Sequence, residues 1–320
     1  MNTSATPPKY RKRLPQLDGR MFLTDGGIET TLIFHEGWEL PIGEAFKLLE
    51  GDRGRQALRA YFDRYVPMAI EHGAGFVLES PTWRANPDWA AKVGYDRTRL
   101  ADINRAAIAL MAEVRAAYET ERSPMPISGC IGPRGDGYDP GKVASAEAFQ
   151  DYHAWQVGVF REAGADFVSA ITMTSINEGL GVARAAQAAD MPCVISFTVE
   201  TDGRLPTGEG LADAIGAVDA ATGQGPAYYM VNCAHPTHFA HVLQDAAWMK
   251  RLRGLRANAS KRSHAELDNS PELDTGNPVE LGAEYGDLLR RFPHINVLGG
   301  CCGTDHRHIE QIGLACRKAA

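Results

Sequence analysis

Residues 165–198, ADFVSAITMTSINEGLGVARAAQAADMPCVISFT, contain the pattern of a strand, a helix and a second strand, in that order. The two strand segments, Asp166 to Ala170 and Cys193 to Thr198, are short and carry aromatic and β-branched residues that favour strands. Between them, Asn177 to Ala189 has the apolar spacing of an amphipathic helix. This order is typical of a parallel sheet, in which helical crossovers join neighbouring strands.

The same unit recurs along the whole chain. The predicted strands are Met21 to Thr24, Gly75 to Glu79, Met125 to Ser128, Asp166 to Ala170, Cys193 to Thr198, Ala227 to Val231, Leu252 to Arg256 and Asn296 to Leu298. The predicted helices include Arg55 to His72, Arg99 to Tyr118, Ala146 to Ala163, Asn177 to Ala189, Glu209 to Ala221 and Val279 to Arg291. Eight alternating units predict an α/β fold of the (β/α)8 TIM-barrel type. The alternative is a doubly wound sheet, but the glycines of residues 135–141 lack the spacing of a dinucleotide fingerprint.

Composition predicts one large globular domain. The chain has 320 residues, of which 44% are hydrophobic and 23% are charged. We expect residues 17–320 to form a single catalytic barrel. Residues 1–16 have a basic cluster without an apolar stretch, which indicates a flexible N-terminal tail and not a signal peptide.

The net charge and the number of cysteines exclude some classes of binding partner and indicate the cellular compartment. A net charge of -7 argues against nucleic acid and against an anionic membrane surface. Six cysteines in so long a chain do not form a disulfide framework, and no apolar stretch approaches the roughly 20 residues needed to span a bilayer. We therefore expect a cytoplasmic protein with reduced thiols, and the sequence leaves a homo-oligomer open.

Three cysteines follow predicted strands. Cys301 and Cys302 stand in LGGCCGT, residues 298–304, and Cys233 stands in VNCAHP, residues 231–236. In a barrel, the loops after strands six and eight converge at the C-terminal face, so the three sulfurs can meet. Three thiolates on Zn²⁺ leave one open tetrahedral position for a substrate. The alternatives are cysteines that merely pack in the core and a disulfide between the neighbours.

Several motifs together resemble the homocysteine S-methyltransferase family in order and spacing. They are residues 25–32 (DGGIETTL), 129–133 (GCIGP), Asn232-Cys233 with Pro236, 257–259 (ANA) and 299–304 (GGCCGT). The resemblance implies a zinc-dependent methyltransferase that moves a methyl group onto the thiol of homocysteine and forms methionine. It also implies that Cys233, Cys301 and Cys302 are the zinc ligands. Asp25 and the amides near Gly26 and Gly27 would hold the amino acid part of the acceptor.

Other residues near the predicted strand ends are candidates for substrate binding. Glu79 can orient an amine, and the aromatic rings Trp83, Trp89 and Tyr95 can form a cage for a cationic sulfonium or ammonium donor. The remaining candidates are Thr172, Asn232 and Asn258. The three other cysteines, Cys130, Cys193 and Cys316, are predicted to be bystanders, with Cys130 the nearest to the pocket.

One position departs from the family. Many members carry a glutamate after strand four that helps to bind the amino group of homocysteine, and this chain has Ile171 there. We expect weaker homocysteine binding unless Glu79 or Asp25 compensates, and Glu178 lies too far along the next helix to substitute. The sequence leaves open the methyl donor, another thiol acceptor or onium substrate, and a barrel that binds zinc or an amino acid without turnover.

Overall fold

The computed structural model describes residues 7–268, 270 and 272–319, and in it a parallel sheet closes into a barrel surrounded by helices. This confirms the predicted TIM-type barrel. The strands are β1 (Phe22–Leu23), β2 (two segments, Gly75–Phe76 and Leu78–Glu79), β3 (Ile127–Ile131), β4 (Phe167–Met173), β5 (Cys193–Phe197), β6 (Tyr228–Asn232), β7 (Leu252–Ala257) and β8 (Val297–Gly300).

Strand β2 closes the barrel by pairing on both of its edges. The amides of Gly75 and Val77 donate to carbonyls of the segment containing β1, while those of Phe76 and Leu78 donate to carbonyls of the segment that leads into β3. All neighbouring strands pair in parallel, and β1 also pairs with β8. The C-terminal ends of all strands therefore lie at one face of the barrel.

The connecting segments are mainly helical, and the predicted helices are present with ends shifted by a few residues. The α-helices are α1 (Asp52–Glu71), α2 (Pro87–Ala91), α3 (Arg97–Tyr118), α4 (Ala146–Ala163), α5 (Ile176–Ala188), α6 (Leu211–Thr222), α7 (Pro236–Phe239), α8 (His264–Asp268), α9 (Pro278–Arg291) and α10 (His306–Ala319). Short 3-10 helices span Pro15–Asp18, Ala45–Glu50 and Ala247–Arg251, and a π-helix spans Thr30–His35. No helix in the described part of the chain is long and apolar enough to cross a membrane.

Local sequence signals set the ends of the crossover helices. The Ser145 hydroxyl accepts from the amide of Ala148 at the start of α4, and Ser175 does the same for Glu178 at the start of α5. Gly164 ends α4 with φ +93°, a left-handed conformation that glycine adopts without strain.

An apolar plug fills the N-terminal end of the barrel. It consists of buried side chains from strands on opposite sides of the barrel, together with Leu14 from the segment before β1. Its members are Leu14, Phe22, Val77, Phe167, Val194, Tyr228, Met230 and Val297. Side chains from β1 and β4 can meet only inside the barrel, so this cluster closes the end opposite to the strand C-termini.

The N-terminal segment differs from the predicted flexible tail. Residues 1–6 lie outside the described residues, but the segment after them is held by specific contacts. The Tyr10 amide donates to Asp166 at 2.7 Å, Leu14 joins the barrel plug, and Gln16 is fully buried. The basic residues around it suggested a solvated segment, and only the closed barrel reveals the opening that Leu14 fills.

Candidate metal centre and active site

The three predicted ligands converge at the C-terminal face of the barrel. Cys233 follows β6, while Cys301 and Cys302 follow β8, so the two loops flank β7. The three sulfur atoms all lie within 4.8 Å of one another. Among residues 7–268, 270 and 272–319, no other group of histidine, cysteine or acidic side chains has this geometry.

One of the sulfur–sulfur distances fits a tetrahedral thiolate site. The Sγ atoms of Cys233 and Cys302 are 3.8 Å apart, which matches the edge of roughly 3.8 Å expected for zinc–sulfur bonds of about 2.3 Å. Cys233 is joined to Cys301 as a disulfide, with Cα atoms 5.4 Å apart. Reduction of this bond would give two thiols beside Cys302, completing the set of three cysteines that the sequence predicts as ligands. The neighbour disulfide considered from sequence, Cys301 to Cys302, is not present.

The backbone of Cys233 is held in an unusual conformation. Its φ is +54°, in the left-handed region that residues other than glycine rarely adopt. The side-chain amide of Asn258 donates to the Cys233 carbonyl at 3.0 Å, and the Cys233 amide donates to the carbonyl of Arg256 at 3.1 Å. These bonds turn the sulfur out of the strand direction and toward the cluster.

The turn after β1 packs directly on the turn that carries Cys301. The Gly27 amide donates to the Thr304 carbonyl at 3.0 Å, and the Thr304 hydroxyl donates to the Cys301 carbonyl at 2.7 Å. A Cβ on Gly27 would lie only 2.6 Å from the Cys301 oxygen, so this close approach requires glycine.

Replacing Gly27 by alanine should therefore weaken metal binding. The added methyl group must push back the Cys301 turn, and we expect a loss of about 10- to 100-fold in metal affinity, the range seen when groups that orient ligands are lost. Competition with a chromophoric chelator measures it. Gly158→Ala is the control, because a Cβ there meets nothing within 4 Å. Equal affinities of the two variants would contradict the role given to this contact.

A cavity of about 100 Å³, partly open to solvent, lies beside the cysteines. Most of the predicted substrate residues line it: Asp25, Gly26, Gly27, Glu79, Trp83 and Thr172. Ile171 and Cys130 line it as well.

Two predicted substrate residues have a different position. The side chains of Asn232 and Asn258 are buried and are not among the cavity-lining residues. Asn232 exchanges two hydrogen bonds with Thr172 and lies 3.8 Å from Cys301 Sγ, while Asn258 bonds to the backbone of Cys233. Both asparagines thus hold residues of the cysteine cluster from outside the cavity lining, Asn232 from the end of β6 and Asn258 from the position just after β7.

A buried ion triad forms the floor of the cavity. The Arg256 guanidinium donates to Asp25 at 2.7 Å and to Glu79 at 2.6 Å. Tyr61 donates to the second oxygen of Asp25, and Ser128 donates to that of Glu79. The two predicted acidic residues are therefore already paired with a cation of the chain itself.

Burial dominates the ionisation of this floor. It raises the pKa of Asp25 and of Glu79, and the charge of Arg256 opposes both shifts. Burial acts to lower the pKa of Arg256, but the neighbouring carboxylates outweigh it and the pKa is raised. Arg256 therefore stays charged and holds its two partners in place.

The predicted aromatic cage does not assemble as expected. Trp83 lines the cavity, with its indole nitrogen donating to the Ile171 carbonyl at 3.2 Å. Trp89 instead stacks with Arg84 and Lys92, each 3.5 Å from its ring centroid, and Tyr95 packs edge-on against Phe46. A second ring from another loop, Tyr138, lines the cavity and places its hydroxyl 3.2 Å from Cys302 Sγ.

The other cysteines behave as neutral thiols. Burial raises the pKa of Cys130 well above its ordinary value and that of Cys193 and Cys316 to about 12. The thiolate is the form that binds metal, so none of the three is suited to be a ligand.

The sequence prediction missed three of the charged or aromatic residues that line the cavity: Glu29, Tyr138 and Arg256. Arg256 had a usable signal, since alternation along the strand places it on the same face as Leu252 and Gly254 and opposite to Arg253. Glu29 and Tyr138 stand in a turn and a loop, where no periodicity indicates which way a side chain points.

Comparison with known proteins agrees with this geometry. The profile of the homocysteine S-methyltransferase family matches residues 22–316. The fold is similar to crystal structures of the homocysteine methyltransferase MmuM from Escherichia coli. The oxidized form has a TM-score of 0.71 at 21% identity, with 92% of this chain and 96% of that chain covered. The metallated form has a TM-score of 0.71 at 20% identity, with 93% and 97% covered.

Proposed function

The chain belongs to the homocysteine S-methyltransferase family and is a methyltransferase, and we propose that it uses zinc to transfer a methyl group from a cationic donor to the thiol of homocysteine, giving methionine. The observation that carries this proposal is the convergence of three cysteine sulfurs within 4.8 Å at the edge of a cavity.

The cluster suits a thiol substrate. A free thiol is mostly protonated at neutral pH and is nucleophilic only as the thiolate. Zn²⁺ bound by Cys233, Cys301 and Cys302 would deprotonate the acceptor thiol and hold it in reach of the donor. Three thiolate ligands exceed the charge of the metal, which favours a reactive acceptor. Such ligands must stay reduced, and this supports the cytoplasm as the compartment.

The charge of the cavity suits a cationic donor. Its lining contains three carboxyl groups, Asp25, Glu29 and Glu79, against one cation, Arg256. A sulfonium or quaternary ammonium compound would be attracted to this negative cavity and to the aromatic rings of Trp83 and Tyr138 in its lining. In the transfer, the acceptor sulfur forms a bond to the methyl carbon, and the electron pair of the broken bond stays on the donor atom. The donor then leaves uncharged, so its attraction to the cavity falls after reaction.

Turnover with a panel of donors tests the proposal. Reduced, zinc-loaded protein is incubated with homocysteine and, separately, S-methylmethionine, S-adenosylmethionine and a betaine, and methionine is measured by mass spectrometry. We expect methionine with at least one onium donor and none after chelation of the metal. Methylation of another thiol but not homocysteine would overturn the acceptor while keeping the reaction class, an outcome that Ile171 at the family's glutamate position makes worth testing. Metal binding without turnover of any thiol would overturn the enzymatic role.

A further inference from the structure

A third carboxyl group stands on the cavity wall next to the cysteines. Glu29 lines the cavity and follows Gly27, which packs against the Cys301 carbonyl. It also precedes Thr30, whose hydroxyl accepts from the Gly303 amide at 2.9 Å. Gly27, two residues before Glu29, and Thr30, which directly follows it, are thus both fixed against residues 301–304. This places Glu29 on the side of the cavity where the acceptor thiol would bind.

Glu29 differs from the other two acidic residues in its partners. Asp25 and Glu79 both bind Arg256, whereas no lysine, arginine or histidine in the described ranges forms an ion pair with Glu29. Burial raises the pKa of Glu29 to about 7, and the nearby charge of Asp25 adds to that shift while Arg84 and Arg256 oppose it. The side chain of Glu29 is half-buried, and a partly desolvated carboxyl group without an ion-pair partner is stabilised by a ligand that brings a cation.

We propose that Glu29 binds the ammonium group of the amino acid acceptor while the cysteine cluster holds its sulfur. The proposal rests on the proposed function, since it assumes an amino thiol bound through the metal. A short carbon chain separates sulfur from ammonium in homocysteine, so both groups must be held on the same side of the cavity. Ile171, which also lines the cavity, offers no charge for this purpose. Glu29 is then a specificity-determining residue that selects amino thiols over uncharged ones.

The test compares homocysteine with mercaptobutanoate, the same thiol acid with hydrogen in place of the amino group. Binding of each to the reduced, zinc-loaded protein is measured by isothermal titration calorimetry, in the absence of any donor. In Glu29→Gln we expect homocysteine to bind about tenfold to a hundredfold more weakly, the range for a lost charge-assisted hydrogen bond. Mercaptobutanoate should bind as it does to the unmodified protein, and Glu29→Asp should recover part of the selectivity. The control is Glu39→Gln, an exposed glutamate beyond the same helical turn, which should change neither ligand.

Each other result overturns the inference. Equal weakening of both thiols in Glu29→Gln would show a structural role, and no weakening of either would place the ammonium elsewhere. In turnover assays of Glu29→Gln, an increase in the KM of the donor alone would assign Glu29 to the donor. If the unmodified protein binds mercaptobutanoate but not homocysteine, the inference fails together with the proposed acceptor. If the unmodified protein binds homocysteine, and Glu29→Gln leaves the ratio of its affinities for homocysteine and mercaptobutanoate unchanged, the proposed function stands and the inference alone fails.

Discussion

Replacing Cys302 by alanine is expected to remove the metal and the methyl transfer while the barrel stays folded. The variant keeps only two of the three sulfurs that the structure brings together. Loss of a direct ligand should lower metal affinity by more than the roughly 100-fold that loss of a supporting group costs. The barrel should remain intact because Cys302 lies on an exposed turn after β8, outside the buried core.

Metal analysis of reduced, dialysed protein decides this prediction. Cys233→Ala and Cys301→Ala should lose the metal in the same way. Cys193→Ala and Cys316→Ala are matched controls, because these thiols are buried away from the cluster and should retain full occupancy. The two control substitutions should lower only the free energy of unfolding, by on the order of 1 to 3 kcal/mol. Full zinc occupancy in Cys302→Ala would refute the ligand set, as would zinc loss in either control.

Replacing Arg256 by methionine is expected to lower the free energy of unfolding more than any of the other substitutions proposed above. Arg256 is the cation between two buried carboxylates, and its removal leaves both without an ionic partner. Breaking a buried ion pair in this way typically costs about 3 to 5 kcal/mol. Arg253→Met is the control, since Arg253 lies on the same strand but is only partly buried. A similar free energy of unfolding for the two variants would contradict the role of the triad.

The loss of stability in Arg256→Met should be larger at higher pH. Without Arg256, the pKa values of Asp25 and Glu79 in the folded protein rise further above their unfolded values, because the charge of Arg256 no longer opposes the effect of burial. A carboxyl group whose pKa is higher in the folded than in the unfolded protein stabilises the folded state at a pH below the pKa of the unfolded protein. This stabilisation is lost as the pH rises through the pKa of the folded protein. Urea unfolding at about pH 5 and about pH 7.5 should show the larger deficit at the higher pH. A larger deficit at the lower pH would reject this explanation.

The sequence alone determined the fold class and the three candidate ligands. A hydrophobic periodicity of a few residues predicts each strand and helix, as in β4, α5 and β5. The order of the elements can therefore be predicted from short stretches of sequence. Once the elements alternate eight times, a parallel barrel follows and its C-terminal face collects the strand ends. Cys233, Cys301 and Cys302 all stand directly after predicted strands, and their convergence could be anticipated on that ground alone.

Only the tertiary structure decided which charges meet and which side chains point into the cavity. Asp25 and Arg256 are 231 residues apart and pair because barrel closure brings β1 and β7 around one interior. The same closure creates the opening that Leu14 fills, and it leaves Glu29 on the cavity wall without an ion pair among the described residues. Local periodicity specifies the direction of a side chain within its own strand or helix, whereas partners across the barrel depend on register and closure. Turns and loops, which carry Glu29 and Tyr138, have no periodicity from which their direction could be predicted.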